Sequence, residues 1–559
     1  MTTKHTEVVS HDDDKPAIEQ IDNIDTELPP HPDLEDGSPD KKKKTANNQL
    51  DEAQEILARS GHVEYTQEDN KRVLRKIDIF VCIPMCIVYC IQQLDKGAVA
   101  QGAVFDLRES TGLKGSQYSW LNSIVYISQL VCQPLSSYAL VVFPVKYWVM
   151  FNFISWSIVT ICSAAAKSFA GLMAARLLLG AFEATILPSF VFITQMWWTR
   201  REQSYRTVAY QIANSLASLF GPLLAFGVGH VKSGIKPYQG IFICMGGLSL
   251  AMVPLVWYLL PNSPTTAKFL RKDDDRLIAL ERLKENQTGT KSSTWKWNQV
   301  WETYRDPKTY MWAAMYLCTA TPSGGIGSFS GLILKGFNFD SFQTTLMHMP
   351  TGVIGILTLW IGIWFTNKFK ARWIVILIIT LAPIAGATAI CRLPRDNTAG
   401  LMASFYIAYI LAGIQPLLYS WANLNAAGTT KRVVTFSTMF VFQCAGNIIG
   451  PQVYFEREAP YYYTGLYVDI GCWSVLVLLI IAMRIYLAQL NKKQAAKRAA
   501  IGMPAELKDM SIMTIQEAEV YKKELTEHMK VNGLNQAKLY ENAFDDMTDF
   551  ENPAFIYVL

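Results

Sequence analysis

IVYCIQQLDKGAVAQGAVFDL, residues 87–107, is a long apolar run with an acid and a base side by side in its middle, Asp95 and Lys96. If the run crosses a bilayer, each of those charges is unfavourable by about 2.5–3.5 kcal/mol even on mild insertion scales, so the pair needs a function. If it does not cross, the same letters describe an ordinary core helix. The fold class turns on which it is.

The rest of the chain answers. Half of its 559 residues are hydrophobic and 18% are charged, against about a quarter for a soluble chain. Between residues 77 and 487 lie twelve apolar segments of 19 to 28 residues, near the roughly 20 a spanning helix needs. Their approximate limits are 77–104, 118–141, 147–166, 170–193, 207–230, 239–260, 307–331, 343–365, 373–391, 399–421, 433–455 and 465–487. They are apolar nearly all round, as lipid-facing helices must be, where a soluble helix shows one stripe.

Charge is concentrated outside these segments. Residues 1–76 carry HDDDK and KKKK and hold too little apolar material for a core, which predicts a disordered cytoplasmic N-terminal tail, and no short apolar run near Met1 suggests a signal peptide. Lys and Arg number 26 on one side of the spans and nine on the other, the excess lying in 71–76, 261–306 and 492–498. Both tails and the central loop are therefore expected in the cytoplasm. The sequon Asn286-Gln287-Thr288 falls in that loop, so a glycan on Asn286 would overturn the topology. The expected organisation is a tail (1–76), a first bundle (77–260), a cytoplasmic loop (261–306), a second bundle (307–488) and a cytoplasmic C-terminal tail (489–559). Gly221-Pro222 and Gly450-Pro451 in the fifth span of each half, with Ser116-Gln117 and Ser341/Gln343 opening the second, are traces of a repeat.

Away from span ends, which sets aside His230, Lys308, Asp469 and Arg484, five ionisable residues remain: Asp95, Lys96, Arg176, Glu183 and His348. Arg176 and Glu183 are seven residues apart, roughly 10 Å along one helix face, with Gly180 between them. The two acids and two bases sum to zero and can be re-paired by one proton and one anion. The bland alternative is a structural lock between helices, and for Asp95 and Lys96 an interfacial position. His348 reads more readily as a hydrogen-bonded packing residue than as a proton relay. Tyr126, Gln343, Asn423 and Asn447, with Tyr419, Asn425 and Gln443, are candidates for the remaining wall, against a packing role for each. Cys82, Cys86 and Cys90 form a thiol stripe without a fourth ligand, so no metal is expected. No nucleotide-binding loop or nucleophile elbow is present, and an enzyme is not expected.

The stretches LDKGAVAQGAVFDLRESTGLKGSQYSWLNSIVYI (94–127), RLLLGAFEATILPSF (176–190), LPNSPTTAKFL (260–270) and PSGGIGSFSGLILKGFNFDSFQTTLMHMPTG (322–352) carry a resemblance. So do AAGTTKRVVTFSTMFVFQCAGNIIGPQVYFEREAPYYYTG (426–465) and DMTDFENPAFIYVL (546–559). In these the chain resembles the fungal allantoate permease group of the anion:cation symporter family, within the major facilitator superfamily. The resemblance implies an all-α polytopic membrane protein of the major facilitator fold, twelve transmembrane helices in two six-helix bundles. It further implies proton coupling at Asp95 and Glu183, and anion binding at Lys96 and Arg176. Lys96 stands where distant relatives carry Arg, which shifts a bidentate carboxylate clamp to Arg176. The sequence departs from the family pattern between spans two and three, where only Lys146 remains, and at Gln129 and Gln133, where Tyr and Glu are usual. The expected function is import of a small organic anion, such as a ureide, a vitamin or a small peptide, by proton symport with alternating access. An uncoupled facilitator or exchanger and a transporter-like nutrient receptor are the alternatives. The expected partners are the anionic substrate, protons and the bilayer of, by this reading, the plasma membrane, with no nucleic acid, a monomeric state and no cofactor beyond the proton gradient.

Overall fold

The computed structural model describes residues 66–231, 234–270, 273–287, 296–337, 339–369, 371–500, 547–552 and 555–559. Of the tail read over residues 1–76, residues 1–65, including KKKK, lie outside them.

Twelve long helical segments follow one another: α1 (Gln67–Ile77, Asp78–Cys82 and Ile83–Phe105 in continuous succession), α2 (Gln117–Val142), α3 (Val145–Ser163), α4 (Phe169–Glu183 continued by Ile186–Trp197), α5 (Arg200–Gly229) and α6 (Pro237–Leu259). Then come two loop helices, Asp273–Gln287 and Trp297–Arg305, and α7 (Pro307–Lys335), α8 (Ser341–His348 continued by Pro350–Phe369), α9 (Arg372–Arg392), α10 (Thr398–Ala408 to Ile414–Leu424), α11 (Thr429–Gln452) and α12 (Tyr463–Ala500). Among the described residues, ten helices are long and apolar enough to cross a membrane by length and composition. α2 and α7 are as long as the others, with Ser, Asn, Gln, Thr and Gly set among their apolar residues. Both lie where the halves meet. There α2 packs on α11, α1 on α7 and α5 on α8, the pairing a two-fold repeat would give.

Residues 67–76, read from sequence as part of the polar tail, instead form the first turns of α1. Thr66 and Asp69 make a reciprocal capping box, acids occupy the first turn and Arg75 and Lys76 the last, and Val73 and Ile77 are buried. Its polar face holds Arg72 and Lys76, which reach Asp275 of the first loop helix at 2.9 and 2.6 Å.

Large apolar side chains such as Leu135, Trp360, Ile378 and Leu478 point outward, which suits lipid. Inside, small residues set the crossings. Gly446 and Gly450 of α11 approach the α7 backbone so closely that a Cβ at Gly450 would lie 2.2 Å from the Thr321 carbonyl oxygen.

At the end opposite the chain termini the halves are tied together. Arg108 pairs with Glu456, Lys335 and Ser341 both donate to the Val104 carbonyl, Tyr118 donates to Ser328 O, and Ser123 donates to Ile448 O while accepting from Gln452. At the termini end each half holds its own loop helix, the first against α1 and the second against α11.

Candidate functional site

Asp95 and Lys96 are consecutive on α1, so their side chains leave the helix about 100° apart and enter different surroundings. Asp95 turns into the first bundle and is fully buried. Its Oδ2 accepts from the Ser249 hydroxyl of α6 at 2.6 Å and from the Trp156 indole N–H of α3 at 3.1 Å. Its Oδ1 is buried without a hydrogen-bond partner.

Lys96 turns the other way. Its Nζ lies 3.4 Å from Glu183 Oε2 on α4 and 5.3 Å above the Tyr126 ring on α2. Gln129 adds an amide N–H to Glu183 Oε2 at 3.2 Å, while Oε1 is buried and unpartnered. Sequence explains why α4 breaks here: Pro188 has no N–H to give the Ala184 carbonyl, and the helix restarts at Ile186. Glu183 is thereby the last residue of its helical segment.

Arg176 is buried on the same face, yet among the described residues it makes no ion pair. Its Nε donates to Leu121 O at 3.4 Å and its Nη2 to Lys96 O at 3.0 Å, bracing α4 against α2 and α1. Two of its five N–H donors are so engaged. The structure thus brings the four charges into one region of the first bundle, with Lys96 rather than Arg176 beside Glu183. Close packing locks the frame: a Cβ on Gly180 would sit 2.4 Å from Val125 O.

A cavity of about 110 Å³ lies between the halves on another face of α1, lined among others by Gln93, Gln101, Ser218, Ser330, His348 and Tyr409. His348 Nε2 is 2.9 Å from the Ser330 hydroxyl and 3.2 Å from that of Tyr409, and its Nδ1 is buried without a partner.

The other sequence candidates scatter. Tyr126 lies under Lys96. Asn447 is buried where α11 crosses α7, packed on Gly324 and donating to Gln443 O one turn back, a helix-packing role. Gln343 is exposed and belongs to the capping box that opens α8, accepting from Asp340 N–H while its own N–H bonds the Asp340 carboxylate. Asn423 stands at the termini end of α10, where its carbonyl accepts from Arg432. Gln343, Asn423 and Asn447 therefore do not join the charged cluster. Sequence reasoning missed Trp156 and Ser249, whose types gave no signal. It also set aside Asp469, which is fully buried and accepts from the Tyr454 hydroxyl at 2.7 Å.

A family model described as Major Facilitator Superfamily matches residues 85–451. The chain belongs to the major facilitator superfamily. As a superfamily member, it is a membrane transporter rather than an enzyme. An uncharacterized transporter of Schizosaccharomyces pombe is 31% identical over 79% of this chain and 84% of its own length. The allantoate permease of Saccharomyces cerevisiae is 27% identical over 93% and 92%, and the thiamine pathway transporter THI73 of the same yeast 29% over 78% and 82%. Among solved structures, a bacterial homologue of the human lysosomal transporter Spinster, inward-facing and occupied, superposes with a TM-score of 0.56 at 14% identity, over 72% of this chain and 96% of that one. The partially occluded, inward-open xylose transporter XylE of E. coli gives 0.53 at 12%, over 72% and 97%. These superpositions establish the major facilitator fold of two six-helix bundles.

Proposed function

We propose that this transporter imports a small organic anion together with a proton, by alternating access. The observation that carries the reading is the Lys96–Glu183 pair: a buried acid holds a half-buried base at 3.4 Å, above Tyr126. With the termini in the cytoplasm, as the Lys and Arg distribution indicates, the tied end is external and the conformation is inward-facing.

Protonation of Glu183 removes the anion that holds Lys96, and the ammonium turns to a substrate carboxylate. Arg176, fixed beside Lys96 by that residue's own carbonyl, has N–H groups left for a second contact with the anion. Asp95, held by Trp156 and Ser249, keeps the cluster's charge sum at zero. When the proton leaves toward the less acidic side, Glu183 reclaims Lys96 and the anion is displaced. The allantoate permease and the thiamine pathway transporter among the relatives support a small nutrient as cargo.

The test is uptake by proteoliposomes from a panel of carboxylates (ureides, nicotinate, pantothenate, small peptides) with a lumenal pH dye. The reading expects one class to be accumulated with lumenal acidification. Accumulation of a panel member without any proton movement would reject it.

A further inference from the structure

At the termini end of the second bundle, Lys308 opens α7 and Lys431 opens α11, and both are buried. Helix N-termini already carry partial positive charge, so a buried cation there needs an anion close by. Asp306 supplies one, 3.4 Å from Lys308 and 3.2 Å from Lys431. The other comes from far along the chain. Asp549 pairs with Lys308 through Oδ2 and lies 2.8 Å from Lys431 through Oδ1. The buried set of two bases and two acids is neutral only with Asp549 in place, since Glu302, also on Lys431, stands at the partly exposed rim.

The backbone around Asp549 is gripped as a ligand would be. Asn491 of α12 accepts from the Tyr557 N–H at 2.9 Å and donates to its carbonyl at 2.8 Å. Asn425, just past α10, does the same for Val558, at 2.8 and 3.0 Å. Trp421 donates to Val558 O at 2.8 Å and Gln494 to Asp549 O at 2.7 Å. Two amide side chains, each bracketing the N–H and C=O of one residue, read main chain irrespective of sequence. Specificity comes from Asp549 between the lysines and from Tyr557, whose hydroxyl donates to Asp549 at 2.8 Å and whose ring lies 4.5 Å from Lys308 Nζ.

We propose that this end of the second bundle is a peptide-binding site for an acidic, aromatic segment, occupied here by residues 547–552 and 555–559 as an exchangeable latch. Seated, the latch ties the starts of α7 and α11 to the ends of α10 and α12. Unseated, it leaves two buried lysines with one buried acid and four amide or indole groups without their partners, so the block loosens and the site is free for a competing segment.

The test uses the full chain with a protease site inserted after residue 546, and a fluorescent, amidated peptide of residues 547–559. After cleavage and washing, the peptide is expected to bind saturably. The Asp549→Asn peptide and the Asn491→Ala protein are each expected to bind at least tenfold more weakly, and uncleaved protein at least tenfold more weakly because its own segment holds the site. Emptying the site is expected to speed amide hydrogen exchange at residues 306–310 and 428–433 at least tenfold, reversed by added peptide. Equal binding to cleaved and uncleaved protein, equal binding of the Asp549→Asn peptide, or a cleaved segment that never exchanges would each overturn the proposal. None of these readings depends on the transported substrate.

Discussion

Glu183→Gln is the sharpest test of the coupling proposed above, because the charge count fixes the magnitude. Lys96 and Arg176 balance Asp95 and Glu183, so one monoanion entering with one proton leaves the cluster neutral and the cycle moves no net charge. Accumulation should then follow the pH difference alone. One pH unit corresponds to about 1.36 kcal/mol, hence about tenfold concentration. The membrane potential, worth about 2.3 kcal/mol per charge per 100 mV, should drop out. Gln keeps the size and the hydrogen bond with Gln129 but cannot take up or release the proton. Labelled substrate in proteoliposomes, with one unit of pH difference and a potassium-clamped potential, reads both quantities. With the potential clamped at zero the variant should equilibrate, at about onefold whatever the pH difference, and still exchange labelled for unlabelled substrate. A variant that still concentrates tenfold per pH unit, or a parent protein whose accumulation follows the clamped voltage, would refute the reasoning.

Lys96→Ala should destabilise the protein by about 3–5 kcal/mol, because it strands Glu183 as a buried unpaired charge. The double variant with Glu183→Gln should recover most of that in denaturant titrations, and a double no more stable than the single would show that the pair is not what matters. Gly180→Ala should lower stability by about 1–3 kcal/mol, since its Cβ would meet Val125 O at 2.4 Å and the Ser128 Cβ at 2.9 Å. An unchanged unfolding midpoint would contradict that crossing. For the latch, burial alone would raise the Asp549 carboxyl, but Lys308 and Lys431 hold it below its ordinary 3.8. A depressed pKa contributes fully above the ordinary value and is lost as pH falls below it. With Lys308, Lys431, Asp306, Glu302 and the Tyr557 hydroxyl facing it, peptide binding should be flat from about pH 8 to 5 and weaken only below the ordinary carboxylate range. A midpoint near neutrality would point to a different group.

The spans were legible because lipid demands twenty apolar residues in a row, and nothing in a soluble fold imitates that so many times over. Even α2 and α7, with polar residues that serve the contact between halves, could be recognised by length. The charged residues of the site were legible for the same reason: each interrupts an apolar run. Their pairing was not. Arg176 and Glu183 share a face at seven-residue spacing, yet which base sits beside Glu183 depends on the approach of α1, a tertiary fact. Lys308 was passed over because it lies near a span end, whereas depth there is set by Asp549, Phe550 and Tyr557 folding over it. Gln343 was misjudged against a signal that was present: Asp340-Ser-Phe-Gln343 reads as a capping box, and the structure uses it as one. The start of α1 was missed because composition alone hides the amphipathic turn that Thr66 caps.

One peptide bond joins Asp95 to Lys96, yet the two side chains answer to separate parts of the molecule. A twist of α1 that draws the ammonium off Glu183 therefore also pulls the carboxylate against Trp156 and Ser249. The first helix thus acts as a crankshaft, linking the pairing at Lys96 to the hydrogen bonds that hold α3 and α6.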